Sequence, residues 1–140
     1  MSYRNFSSFW AGGFLYDREA QSVFLHKRDG NTQRSPHKWA FFGGQSERGE
    51  SDVECFVREL QEEIGLRIQP GDARPLREYM HTEVDQYRVV FYVESAVPED
   101  QLVLGEGAGF SWIKLSQVLQ LDLSDKTRDD LQFFLARKLA

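Results

Sequence analysis

Residues 44–66 read GQSERGESDVECFVRELQEEIGL and constrain this chain more than any other stretch. From Ser51 onward the spacing is helical. Ser51 with Glu54 three residues later is a capping-box pattern, which predicts a helix starting near Asp52. Val53, Phe56, Val57, Leu60 and Ile64 share one face, and Gly65 is placed to cap the C-terminus. At ~100° per residue, Glu59, Glu62 and Glu63 fall within roughly one third of the circumference, and the apolar stripe is centred about 120° away. One face is thus free to pack on a sheet while its neighbour gathers three carboxylates. Like charges at i,i+3 and i,i+4 repel, and the dipole at a helix C-terminus disfavours anions. Taken alone, ELQEE also reads as a solvated acidic face. Kept together near a helix end, three carboxylates call for a compensating cation, and grouped hard oxygen ligands suit Mg²⁺ or Mn²⁺. Arg58, beside them, can hold Glu50 or Glu59 through a two-pronged hydrogen bond.

The rest of the chain supplies strands around this helix. Residues 9–16 (FWAGGFLY) read as a strand buried on both faces, with Gly12 and Gly13 marking a bulge or a close approach. Residues 22–27 complete a hairpin, and residues 28–38 form a loop. A short apolar piece, 39–42, leads into Gly43 and Gly44, which permit an unusual loop conformation. Residues 76–82 and 86–93 read as two strands around a turn at Glu83, and 98–109 as a glycine-rich loop. A short strand at 110–113 and helical turns at 115–121 follow. A terminal helix spans 125–138, with Ser124 as its cap and Leu131, Phe134 and Leu135 inward. This order predicts an α/β fold in a single domain, 1–140, with a mixed sheet packed between helices.

Composition bounds the function. The net charge of −5 argues against a nucleic-acid binder, which usually shows a basic face. A protein this acidic holds a polyphosphate readily when a divalent cation sits between them. No apolar run approaches the ~20 residues of a membrane span, and the N-terminus lacks a signal-peptide pattern, so the expected location is cytoplasmic. The single cysteine, Cys55, excludes an internal disulfide and reads as packing.

The spacing from Gly44 through Glu50 to Arg58, Glu59, Glu62, Glu63 and Gly65 resembles the Nudix box at every fixed position. The resemblance is complete across 44–66 and looser over most of the remainder. It implies a Nudix-type α/β/α sandwich with a mixed central sheet and the catalytic helix after a Gly-Gly loop. It also implies a MutT-like, metal-dependent pyrophosphohydrolase, in which water attacks one phosphorus of a nucleoside diphosphate linked to a group X. Mg²⁺, or Mn²⁺, would be held by Glu59, Glu62 and Glu63, with the Gly43 carbonyl and Glu106 joining them. Glu59 or Glu62 is the expected general base, with Glu106 a further possibility, and Arg58 orients the carboxylates. Gly44, Glu50 and Gly65 are structural, and Arg28 is expected near the substrate phosphates. Glu83 competes with Glu106 for the extra carboxylate. Phe42 departs from the proline that many members place before Gly-Gly. Trp10 and Phe14 are core residues that also qualify as walls of a base pocket, and His26, His37 and His81 read as surface or satisfied residues. The expected partner is a small nucleotide bound to a monomer or homodimer. A (d)NTP or oxidised nucleotide leads over ADP-ribose or a nucleotide sugar. From other classes, a non-catalytic Nudix ligand sensor and an isoprenoid-diphosphate isomerase are the alternatives.

Overall fold

The apolar run near the N-terminus becomes the strand around which the sheet is built. A computed structural model describes residues 2–28, 30, 37–103 and 109–139. Strand β1 (Trp10–Asp17) runs parallel to β6 (Gln86–Glu94), in unbroken register from Trp10 opposite Arg88 to Tyr16 opposite Glu94. There is no bulge at Gly12 and Gly13. The alternative reading, a close approach, is what the structure contains: a Cβ on Gly13 would collide with the Phe91 carbonyl, and one on Gly12 with that of Phe42.

On its other side β1 has two partners. Its C-terminal half pairs with β2 (Ser22–Lys27), and its N-terminal half with β4 (Phe42–Gln45). Strands β1 and β2 diverge beyond Leu15 and Phe24, and residues 39–45 fill the fork. They run along β2 as β3 (Trp39–Ala40), reverse at Phe41, and leave along β1 as β4. The Gly-Gly segment is therefore clamped inside the sheet. Phe42, standing where proline is common, is fully buried and stacks on Phe24 and His26. Strand β5 (Arg74–His81) flanks β6, with a register shift between Pro75 and Arg77, and β7 (Gly109–Lys114) flanks β2. Arg74, a charge, and Pro75, which lacks a backbone N–H, hid the start of β5 from a reading of apolar alternation.

Alternation along the strands feeds two cores. Ala11, Leu15, Val89 and Phe91 face helix α1 (Asp52–Ile64), which buries Phe56, Leu60 and Ile64 against them. Phe14, Tyr16, Leu25 and Val90 face the other way, with α2 (Leu115–Val118) and α3 (Asp125–Leu139) contributing Val118, Leu131 and Phe134. The result is the expected mixed sheet between helices. Phe14 stacks on Phe41 and Tyr92 at full burial, so it is core and not a pocket wall. Among the described residues, no helix is long and apolar enough to cross a membrane.

His26 lies inside this packing, its Nε2 2.9 Å from the Phe41 carbonyl. Burial lowers its pKa from 6.5 to about 4. The unfolded chain therefore binds a proton first. The stability due to neutral His26 is whole above pH 6.5 and is lost as pH falls from there toward about 4. At about pH 5 the loss is on the order of 2 kcal/mol. His26→Gln keeps a donor for Phe41 without the titration. Its melting temperature should fall less between neutral pH and about pH 5 than that of the parent, as followed by circular dichroism.

Candidate active site

Helix α1 is fixed at both ends by its own sequence. The Ser51 hydroxyl accepts from the Glu54 N–H at 3.1 Å, and the Glu54 carboxylate accepts from the Ser51 N–H at 2.8 Å. At the other end Gly65 adopts the left-handed region, φ 70°, and its N–H donates to the Gln61 carbonyl. Phe56 stacks on Phe91 below, which sets the rotation of the helix and turns its acidic face toward the end of β4.

Arg58 is the hub of that face. Its Nε and Nη2 donate to the two Glu50 oxygens at 2.7 and 3.0 Å, a bidentate pair. Its Nη1 donates to Glu59 Oε1 at 2.9 Å and to Glu62 Oε2 at 3.2 Å, and Nη2 also reaches the Gln45 carbonyl at 3.1 Å. One guanidinium thus joins the loop before the helix, the end of β4 and two helix carboxylates. The Arg58 hydrogen bonds hold the Glu50 carboxyl below its ordinary pKa. Glu59 is pushed up, because burial outweighs the pull of Arg58. The same carboxylates raise the pKa of Arg58, with the Glu50 hydrogen bond the largest cause, so it stays charged.

The two glycines serve opposite faces of the sheet. A Cβ on Gly44 would lie 2.7 Å from Cδ of Glu59, so glycine makes the cradle in which that carboxylate rests. A Cβ on Gly43 would lie 2.6 Å from Trp10 Cζ2. The Gly43 N–H donates to Glu63 Oε2 at 2.9 Å. Glu63 is therefore turned onto the strand backbone, while Glu59 and Glu62 meet at Arg58. Helical spacing predicted three carboxylates side by side; a backbone donor outside the helix separates the third. Among the described residues, no three His, Cys, Asp or Glu side chains are already arranged as a cation cage. The donor set still fits a hard divalent ion: two carboxylates converge on one nitrogen, above a cradle that a methyl group would fill. Cys55 is buried, donates to the Gly44 carbonyl, and has its thiol pKa pushed up to about 12 by burial and then by Glu50. That excludes a nucleophilic thiolate.

The remaining expected residues divide between two places. Arg28 and Glu83 line a cavity of about 270 Å³ on the α3 side of the sheet, together with Trp10, His81 and Arg88. Glu83 thus lines that cavity. Glu106 lies outside the described residues. Sequence reasoning missed one buried cluster altogether. Asp130 of α3 has no exposed side-chain surface and accepts from Arg77, Tyr79 and Arg88. Its signal was Arg88, a charge in the apolar run of β6, which burial obliges to find an anion.

Comparison with known proteins agrees with the geometry. Residues 10–134 match the NUDIX domain family, so the chain belongs to the Nudix hydrolases, enzymes that cleave phosphoric anhydride bonds. Members of the family typically depend on a divalent metal. The nucleoside triphosphatase NudI of Enterobacter sp. (strain 638) is 25% identical over 103 residues, covering 66% of this chain and 73% of its own. A crystal structure of MutT protein from Methanosarcina mazei Go1 superimposes with a TM-score of 0.76 at 25% identity, covering 93% of this chain and 94% of that one. The C. elegans Ap4A hydrolase shares the fold at 18% identity and a TM-score of 0.71, covering 93% and 98%.

Gly44→Ala tests the cradle directly. The strand backbone accepts alanine, but the methyl group displaces the Glu59 carboxylate. Hydrolysis should fall by roughly 10²-fold, the usual cost of moving a reacting group by about 1 Å. The melting temperature should stay close to that of the parent, and steady-state kinetics with a thermal melt reads both.

Proposed function

We propose that this chain hydrolyses a nucleoside triphosphate, a (d)NTP or an oxidised nucleotide, with Mg²⁺ or Mn²⁺ as cofactor. The observation that carries the reading is the convergence of Glu59 and Glu62 on Arg58 Nη1 above the Gly44 cradle. The relatives named nucleoside triphosphatase support the substrate class. Glu62 is 58% exposed and Glu59 13%, so the pair spans from solvent to the buried floor of the site. Glu59 and Glu62 would hold the cation, with Glu63, the Gly43 carbonyl and Glu106 completing its shell. When bound, the cation supplies neutralisation of phosphate charge and a more acidic water. Glu59 or Glu62 accepts the proton of the attacking water as it adds to phosphorus. Arg58, pinned by Glu50, keeps both carboxylates aimed throughout. Arg28, from the neighbouring cavity, contacts the substrate.

Glu59→Gln and Glu62→Gln should each lower kcat by orders of magnitude while the melting temperature is kept. Chelation should abolish turnover, and added Mg²⁺ should restore it. The panel should contain the (d)NTPs, oxidised nucleotides, ADP-ribose and a nucleotide sugar, read by phosphate or nucleotide release. Near-parental turnover in both variants would overturn the site. Turnover confined to ADP-ribose or the nucleotide sugar would overturn the substrate class, and tight binding with no turnover would mark a ligand sensor.

A further inference from the structure

The cavity on the α3 side contains a fixed donor that the hydrolytic chemistry does not use. Gln45, Trp10, Arg88 and Tyr79 stand opposite one another across four adjacent strands, forming one row at the end of the sheet. Gly12 and Gly43 lie beside Trp10, and a side chain on either would strike its indole. The indole therefore lies flat against the sheet. The Arg88 guanidinium stacks on it, its carbon 4.0 Å from the ring centre. Arg88 Nε donates to Asp130 Oδ2 at 2.9 Å, while Asp130 Oδ1 takes Arg77 at 2.8 Å and the Tyr79 hydroxyl at 2.8 Å. A single buried carboxylate thus faces two guanidinium groups and leaves one positive charge uncompensated within the cluster. Of the Arg88 guanidinium, only Nε has a hydrogen-bond acceptor among the described residues, its two terminal nitrogens have none, and Arg88 lines the cavity. An arginine held by its stem end, stacked on one face and open at its fork is a preorganised reader of acceptor atoms.

The lining tells what those acceptors belong to. Arg28, Arg88 and Lys126 share it with Glu83 and Asp125 around the indole wall. A phosphate would meet carboxylates as well as cations. A neutral planar ring with a carbonyl beside an N–H satisfies both signs, the carbonyl facing Arg88 and the N–H facing a carboxylate. The cavity also adjoins the acidic face of α1: Gln86, which lines it, hydrogen-bonds the Gln45 side chain, and the Gln45 carbonyl accepts from Arg58.

We propose that Arg88, positioned by Asp130 and Trp10, selects nucleotides whose base presents a ring carbonyl beside an imino N–H, namely guanine, thymine or uracil, over adenine. Adenine places its amino group against the Arg88 fork, donor against donor. This inference rests on the nucleotide-hydrolase reading above.

The test compares dGTP, dTTP and dATP by kcat/KM, alongside dGMP and dAMP binding by calorimetry without metal. The parent should favour the carbonyl-bearing bases by roughly 10- to 100-fold, the scale of one bidentate base contact. Arg88→Lys keeps the charge and removes the fork, and it should collapse that ratio chiefly through KM. Asp130→Asn should do the same if it folds; if it does not, Arg88→Lys decides alone. An unchanged ratio in Arg88→Lys, or an equal loss on all three triphosphates, as a phosphate contact would give, overturns the inference. Discrimination between dGMP and dAMP that depends on Arg88, with no triphosphate hydrolysed, would sustain it and defeat the hydrolase reading instead.

Discussion

The bidentate bond from Arg58 to Glu50 is the interaction on which the arrangement depends. Glu50 sits in the loop before α1 and Arg58 two turns into it, so their pairing closes the loop onto the helix. Both side chains are largely shielded, at 21% and 12% exposure, which makes the pair stronger than a surface ion pair and its loss more costly. The remaining donors of the same guanidinium then set the directions of Glu59 and Glu62. Closing the loop and aiming the carboxylates are one event, because both use one planar group.

A second buried ion cluster does for the opposite face what Arg58 does for this one. Asp130 ties α3 to β5 and β6 through two arginines and a tyrosine. A buried carboxylate with this many donors fixes geometry more than it adds stability, because desolvation offsets much of the attraction. The sheet between the two clusters is braced by strand pairing where β1 and β2 part. Residues 39–45 are wedged into the fork between β1 and β2, so the segment carrying both glycines has strand partners on either flank.

Much of this was legible beforehand, and the omissions have a common cause. Ser51, Glu54 and Gly65 announce the helix because capping is local, and the structure contains those bonds. The strand at residues 9–16 announces itself by its unbroken apolar character, within one residue of its observed bounds. What escaped depends on partners distant in sequence. Spacing alone put Glu63 with its neighbours, whereas a backbone N–H on β4, 20 residues away, draws it aside. The reversal at Phe41 has no local signature, since it follows from the divergence of two other strands. Asp130 looks like any charge on an amphipathic helix until Arg77 and Arg88 are brought beneath it. Glu106, expected on the glycine-rich loop, falls outside the described residues.

Gly43 and Gly44 are consecutive, yet one clears space for an indole and the other for a carboxylate. Pleating sends their two directions to opposite sides of a single backbone. A ligand engaging both sides must bend around the strand end, past Gln45. A stiff, straight molecule of the same length and charge cannot touch both sides at once. Reaching both sides at once takes a swivel between the two halves of the molecule, and the thickness of one polypeptide strand sets where that swivel must fall.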